Sequence, residues 1–118
     1  MILDQFRLDG KVALVTGTSR GLGQGSAVAL AEAGADVALL DRSLPTETIA
    51  KVEALGRRVH SVRRDLTTAT PDELHGAVAE VEEALGAVDV LVNNAGMIRR
   101  APAAEHPVED WDAVLSVN

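Results

Sequence analysis

An α/β fold with a parallel, doubly wound sheet is the class this sequence predicts, and three observations predict it. Short valine-rich apolar runs alternate with segments of helical period along all 118 residues. The first two runs are apolar throughout rather than alternating, as expected of strands covered on both faces. Glycines punctuate the joins, at Gly17, Gly34, Gly56 and Gly86.

Lys11–Thr16 (KVALVT) is the first strand, bounded by Gly10 and Gly17. Residues 22–33 are alanine-rich, read as a helix and stop at Gly34. Asp36–Leu40 is the second strand. Residues 46–55 carry Ile49, Val52 and Leu55 at helical spacing and end at Gly56. Val59–Arg63 is a third, more polar strand. Thr70-Pro71-Asp72-Glu73 combines an N-cap threonine, a first-turn proline and a capping-box glutamate. The helix it opens is expected to place Leu74, Val78, Val81 and Leu85 on one buried face and to stop at Gly86. Val88–Val92 is the fourth strand, and Pro107 opens a last helix with Trp111, Leu115 and Asn118 on its buried side. Right-handed crossovers then follow from strand twist.

Residues 1–118 thus form one expected domain. A complete dinucleotide fold of this class needs about six strands, so the reading is of an amino-terminal part with about four strands, incomplete at its carboxyl end. Val88–Val92 is then expected as an exposed edge that promotes association.

Composition limits the functions. Apolar residues are 47% and charged residues 25%, the balance of a soluble globular domain. The net charge of −7 argues against binding a phosphate backbone nonspecifically. No apolar run approaches the roughly 20 residues of a membrane span. The start Met1–Phe6 lacks a basic leader, and cysteine is absent, so a cytoplasmic location is expected, without disulfides or thiolate metal sites. His60, His75 and His106 are isolated and show no metal-ligand spacing, so no metal site is expected. The pairs Arg57-Arg58 and Arg63-Arg64 read as solvated faces.

The turn Thr16-Gly17-Thr18-Ser19-Arg20-Gly21-Leu22-Gly23 joins the first strand to the first helix. Gly17 permits a tight turn. Gly21 lets a diphosphate approach the backbone. Gly23 lets the helix pack closely on the sheet. Free N–H groups at the helix start and its dipole then hold the anion. Asp41, at the end of the second strand, can accept both hydroxyls of an adenosine ribose and repel a 2′-phosphate, which favours NAD over NADP. Arg20 and Arg42 pull the other way, since a guanidinium pairs with a 2′-phosphate.

Three motifs in order, Thr16-Gly17-x-x-x-Gly21-x-Gly23, Asp65-Leu66 and Asn93-Asn94-Ala95-Gly96, make the whole chain resemble the short-chain dehydrogenase/reductase family. The resemblance implies a Rossmann-type sheet and a nicotinamide cofactor. It implies cofactor contacts from Gly17, Ser19, Arg20, Gly21, Leu22, Gly23, Asp41 and Arg42. Asp65 would bind the adenine amino group with the Leu66 backbone beside it. Asn93, Ala95 and Gly96 would pass under the cofactor ribose. Asn118 looks like the family's active-site asparagine, whose carbonyl holds a water linking the catalytic lysine to solvent.

Within the family, the runs Gly21–Gly25, Pro45-Thr46-Glu47-Thr48-Ile49, Leu55–Arg58 and Ala95–Arg100 resemble members that oxidise a deoxy sugar acid such as 2-deoxy-D-gluconate with NAD. Such a small-molecule substrate carries a carboxylate, and Arg99 and Arg100 follow the fourth strand where ligands bind in such sheets, so one of them is expected to help bind it, with a surface or subunit-interface arginine as the alternative. The resemblance also implies a homotetramer or homodimer, while charge and the lack of a long apolar run leave no nucleic-acid or membrane partner expected.

The family's chemistry needs a tyrosine acid/base, a lysine four residues later that lowers its pKa, and a serine. This chain has no tyrosine, and Lys11, Lys51 and the serines stand outside that pattern. Two readings remain open: a dehydrogenase of which these residues are the cofactor-binding part, and a non-catalytic nucleotide-binding module.

Overall fold

The computed structural model describes residues 1–118. A 3-10 turn at Ile2–Phe6 leads into β1 (Val12–Thr16), α1 (Gly21–Glu32), β2 (Asp36–Asp41), α2 (Thr46–Ala54), β3 (Val59–Arg63), α3 (Pro71–Leu85), β4 (Val90–Val92), a second 3-10 turn at Ala103–Glu105 and α4 (Val108–Val117). The four strands form one parallel sheet in the order β3-β2-β1-β4. Leu14 pairs with Ala38 on one side and Leu91 on the other.

Strand alternation sorts the core into two faces. Val15, Val37 and Leu39 meet Ala27 and Ala31 of α1 and Val52 of α2. Val12, Leu14, Ala38, Leu40 and Val62 meet Ala77, Val81 and Leu85 of α3. The sheet is therefore doubly wound. Its strand order reverses between β1 and β4, which opens a crevice at their carboxyl ends.

Each local signal has its counterpart. The Thr70–Glu73 capping box closes, with Glu73 N donating to Thr70 Oγ1 at 3.2 Å and Thr70 N to Glu73 Oε2 at 2.9 Å. Gly34, Gly56 and Gly86 all hold positive φ after their helices. Arg58 is less free than a solvated arginine. It pairs with Asp36 at 2.9 Å and donates to the Leu85 carbonyl at 3.2 Å, capping the end of α3.

Three expectations need correction. β4 begins at Val90 rather than Val88, because the Asp89 carboxylate takes the Val12 N–H at 2.9 Å in place of a strand carbonyl. As expected, it is an edge strand, with Leu91 55% exposed. The buried stripe of α3 runs through Ala77, Val81 and Leu85, while Leu74 and Val78 lie at its margin, since the small Ala77 allows the closest approach to the sheet. The expected inner side of α4 is exposed: Trp111 and Leu115 are 61% and 60% accessible and no residue of the helix is buried.

Candidate cofactor site

The crevice at the carboxyl ends of β1, β2 and β4 has a volume of about 670 Å³. From the glycine turn come Gly17, Ser19 and Arg20; from the end of β2, Asp41, Arg42 and Ser43. Arg64, Asp65, Leu66 and Thr67 follow β3, and Asn94, Ala95, Gly96, Met97 and Arg99 follow β4. Four guanidinium groups against two carboxylates make this lining cationic on a chain of net charge −7. Such a cleft concentrates anions.

The turn is built by close approach. Gly17 has φ +68°, and a Cβ there would lie 3.0 Å from Ala95 Cα. A Cβ on Gly23 would lie 1.8 Å from the Gly17 carbonyl oxygen, so α1 can start against the strand only with glycine here. Gly21 has φ +61° and open space around its missing Cβ, which leaves the backbone accessible. The N–H groups of Arg20, Gly21, Leu22 and Gly23 donate to no group of the chain, and Arg20 offers no side-chain cap. Unpaired amides at a helix N-terminus, beside guanidinium groups, suit a diphosphate. The residues present therefore fit a dinucleotide.

Asp41 is half-buried and heavily used. Its Oδ2 accepts the N–H groups of Thr18 at 2.8 Å and Ser19 at 3.0 Å. Its Oδ1 accepts Ser43 N at 3.1 Å and Ser43 Oγ at 3.3 Å. Burial pushes this carboxyl up, but the donors of Ser43, Ser19 and Thr18 together outweigh it and hold its pKa below the ordinary value of 3.8. The group is thus ionised and lines the crevice. Asp65, fully exposed, is likewise held down by the hydroxyl and N–H of Thr67, at 2.6 and 2.9 Å from its Oδ1.

The far wall depends on Thr16 and Asn94, two motif residues to which the sequence assigned no role of their own. Thr16 Oγ1 accepts the N–H groups of Asn94 at 3.1 Å and Ala95 at 2.9 Å. Asn94 Nδ2 donates to the carbonyls of Thr16 and Gly17, both at 3.1 Å. A signal existed, because a buried threonine ending an apolar strand requires a polar partner. Arg64 was missed because it stood in a pair that read as solvated.

The remaining expected residues distribute unevenly. Gly23 is buried behind the turn; Leu22, 84% exposed, and Asn93 lie outside the lining. Arg99 lines the crevice and pairs with Asp110 at 2.8 Å, whereas Arg100 does not line it. Asn118 is exposed, which corrects its expected place on a buried face. Its side chain instead pairs with the Met97 backbone, accepting N–H at 2.9 Å and donating to the carbonyl at 3.2 Å. This double bond pair fastens the end of α4 to the segment after β4.

Known proteins share this architecture. The 2-dehydro-3-deoxy-D-gluconate 5-dehydrogenase of Escherichia coli K12 is 51% identical over 120 residues, which covers 100% of this chain and 46% of that protein. The chain spans about half the length of the curated relatives it matches. A short-chain type dehydrogenase/reductase of Mycobacterium marinum superposes with a TM-score of 0.92 at 33% identity, over 99% of this chain and 47% of that one. A structure from Agrobacterium tumefaciens, assigned as a 2-deoxy-D-gluconate 3-dehydrogenase with bound NADP, superposes with a TM-score of 0.80 at 42% identity, over 95% of this chain and 43% of that one. The family model for short chain dehydrogenase matches residues 11–118. With the glycine turn, the Asn93–Gly96 segment and the parallel sheet all inside the matched residues, the chain belongs to the short-chain dehydrogenase family, whose members bind a nicotinamide cofactor.

Proposed function

We propose that the protein containing this chain is an NAD(H)-dependent dehydrogenase that oxidises a secondary alcohol of a deoxy sugar acid such as 2-deoxy-D-gluconate. One observation carries the reading: the glycine turn, whose amides at residues 20–23 have no partner in the chain, lends Gly17, Ser19 and Arg20 to the same cationic crevice that the ionised Asp41 lines. In this proposal the amides of residues 20–23 hold the diphosphate. Asp41 Oδ1 takes a ribose hydroxyl once the Ser43 hydroxyl, 3.3 Å away, rotates off it. Asp65 and Leu66 flank the adenine, and Asn93, Ala95 and Gly96 pass beneath the second ribose.

The bound nicotinamide supplies hydride chemistry, and these residues supply binding and orientation. Arg99 receives the substrate carboxylate. No residue of this chain takes the alcohol proton. The preference for NAD rests on Asp41, whose charge repels a 2′-phosphate; Arg20 and Arg42 offset part of that repulsion. The sugar-acid substrate is supported by the names of the relatives and by the arginine on the substrate side. The working protein is proposed to be a cytoplasmic homodimer or homotetramer.

The test is titration of the full-length protein with NADH and with NADPH by nicotinamide fluorescence, then a screen of deoxy sugar acids at the preferred cofactor. Tighter NADH binding and turnover of a deoxy sugar acid are expected. Binding of neither dinucleotide overturns the proposal, and binding without turnover of any sugar acid leaves a nucleotide-binding module in its place.

A further inference from the structure

We infer that Thr48, on α2, is a positioning residue for the cofactor turn: its hydroxyl sets the Thr18–Ser19 peptide plane and, through that plane, the Asp41 carboxylate. The inference rests on the dinucleotide reading above. Thr48 is fully buried yet polar, and it lies outside the crevice lining. Its Oγ1 donates to the Thr18 carbonyl at 2.6 Å. In a trans peptide the carbonyl and the following N–H point in opposite directions. Holding the Thr18 carbonyl toward α2 therefore aims the Ser19 N–H away from α2, and there it meets Asp41 Oδ2 at 3.0 Å. One peptide plane is clamped between a threonine on one side and the ribose-facing aspartate on the other.

The direction of the Thr48 proton is itself fixed. Gln24 Nε2 donates to Thr48 Oγ1 at 3.0 Å and to the Ser19 carbonyl at 3.4 Å. Lys51 Nζ donates to Gln24 Oε1 at 3.4 Å, and an ammonium has only donors, so the Gln24 amide must turn its nitrogen toward Thr48. The Thr48 hydroxyl, receiving from Gln24, has its proton left for Thr18. The Thr18 side-chain hydroxyl has no partner, so the hold on this residue comes through its backbone. The run Pro45–Ile49 thus brings a hydroxyl under the cofactor turn from the neighbouring helix. Valine at 48 fills the same space and cannot donate. Serine keeps the hydroxyl.

Full-length wild type, Thr48→Val, Thr48→Ser and Gln24→Met are to be titrated with NADH and with ADP-ribose, well below each variant's melting temperature. ADP-ribose reports only the diphosphate and adenosine side. Loss of one hydrogen bond that orders the turn is expected to raise both Kd values about five- to tenfold in Thr48→Val. Thr48→Ser should stay within about twofold of wild type, and Gln24→Met should fall between, as expected when one bond of a relay is lost. A Thr48→Val protein with wild-type Kd values overturns the inference while leaving the dinucleotide reading intact. Equal weakening in Thr48→Val and Thr48→Ser also overturns it, since packing rather than the hydroxyl would then decide. If Thr48→Val does not fold, the Gln24→Met titration decides, and an unchanged Kd there sinks the relay. Wild type that binds neither ligand overturns both readings.

Discussion

Thr16 and Asn94, 78 residues apart, hold each other reciprocally: the Asn94 N–H donates to the Thr16 hydroxyl oxygen at 3.1 Å, and Asn94 Nδ2 donates to the Thr16 carbonyl at 3.1 Å. The same nitrogen reaches the Gly17 carbonyl. β1 and β4 are thereby locked at the crevice, where the ladder itself has ended. Asn94→Leu keeps the branched shape and leaves two half-buried carbonyls short of a donor, at a cost of about 2–3 kcal/mol. Chemical denaturation of the full-length protein measures this, and a change below about 0.5 kcal/mol would mean water replaces the amide at little cost.

Gly23 and Gly25 share one helix and predict opposite outcomes. A Cβ at Gly23 would stand 1.8 Å from the Gly17 oxygen and 2.6 Å from Asn94 Nδ2. Gly23→Ala must push α1 off the strand, costing about 1–3 kcal/mol as an overpacked contact and weakening dinucleotide binding. At Gly25 nothing lies within 4 Å of the built Cβ. Gly25→Ala should stabilise by about 0.5–1 kcal/mol through helix propensity, with unchanged binding. Thermal melts of the pair check both signs.

Asp41 links stability to pH. Although burial opposes it, donation from Ser43, Ser19 and Thr18 keeps its folded pKa below 3.8. The unfolded chain therefore binds this proton more readily. The contribution is full above the unfolded pKa and is lost as pH falls through the folded value. Wild type should lose stability as pH drops below about 4, near the unfolded aspartate pKa, and Asp41→Asn should show a shallower acid slope. Urea midpoints measured across that window check it; identical slopes would mean the carboxylate gains nothing from its four donors.

Most of the sheet and the glycine turn were legible because their signals are local. Continuous apolar runs, φ-permissive glycines and a capping box act within a few residues, and all reappear where they were read. The lapses share a different cause. α4 has an amphipathic period, but periodicity identifies an apolar side without saying whether a partner covers it, and Trp111 remains exposed. In α3, Ala77 outranks Leu74 because distance from the sheet, not side-chain size, decides burial. Arg64 looked like half of a solvated pair, and only the strand order places it in the crevice. Thr48 read as an ordinary position of α2; its meaning depends on a carbonyl 30 residues earlier.

Arg99 and Arg100 are neighbours in sequence with different surroundings, which makes them a controlled pair. Arg99 lines the crevice, and its Nη1 donates to Asp110 at 2.8 Å. His106 Nε2 lies 3.1 Å from the Arg99 carbonyl oxygen, tethering the same segment. A guanidinium has five N–H donors, so one bond to Asp110 fixes its direction and leaves a fork for a carboxylate. Arg100 is exposed and has no such tether. Arg99→Ala is therefore expected to raise the KM for a sugar-acid substrate about 10- to 100-fold, the worth of one charge-assisted pair, with the NADH Kd unchanged. Arg100→Ala should change neither by more than about twofold. Asp110→Asn should raise KM by a smaller factor, because it loosens the fork without removing it. Steady-state kinetics with a sugar acid and with its neutral alcohol analogue separate the effects, since the neutral analogue should not distinguish wild type from Arg99→Ala. Equal KM values for the acid in both arginine variants and wild type would remove Arg99 from the substrate side and leave its pairing with Asp110 as a fold contact between α4 and the segment after β4.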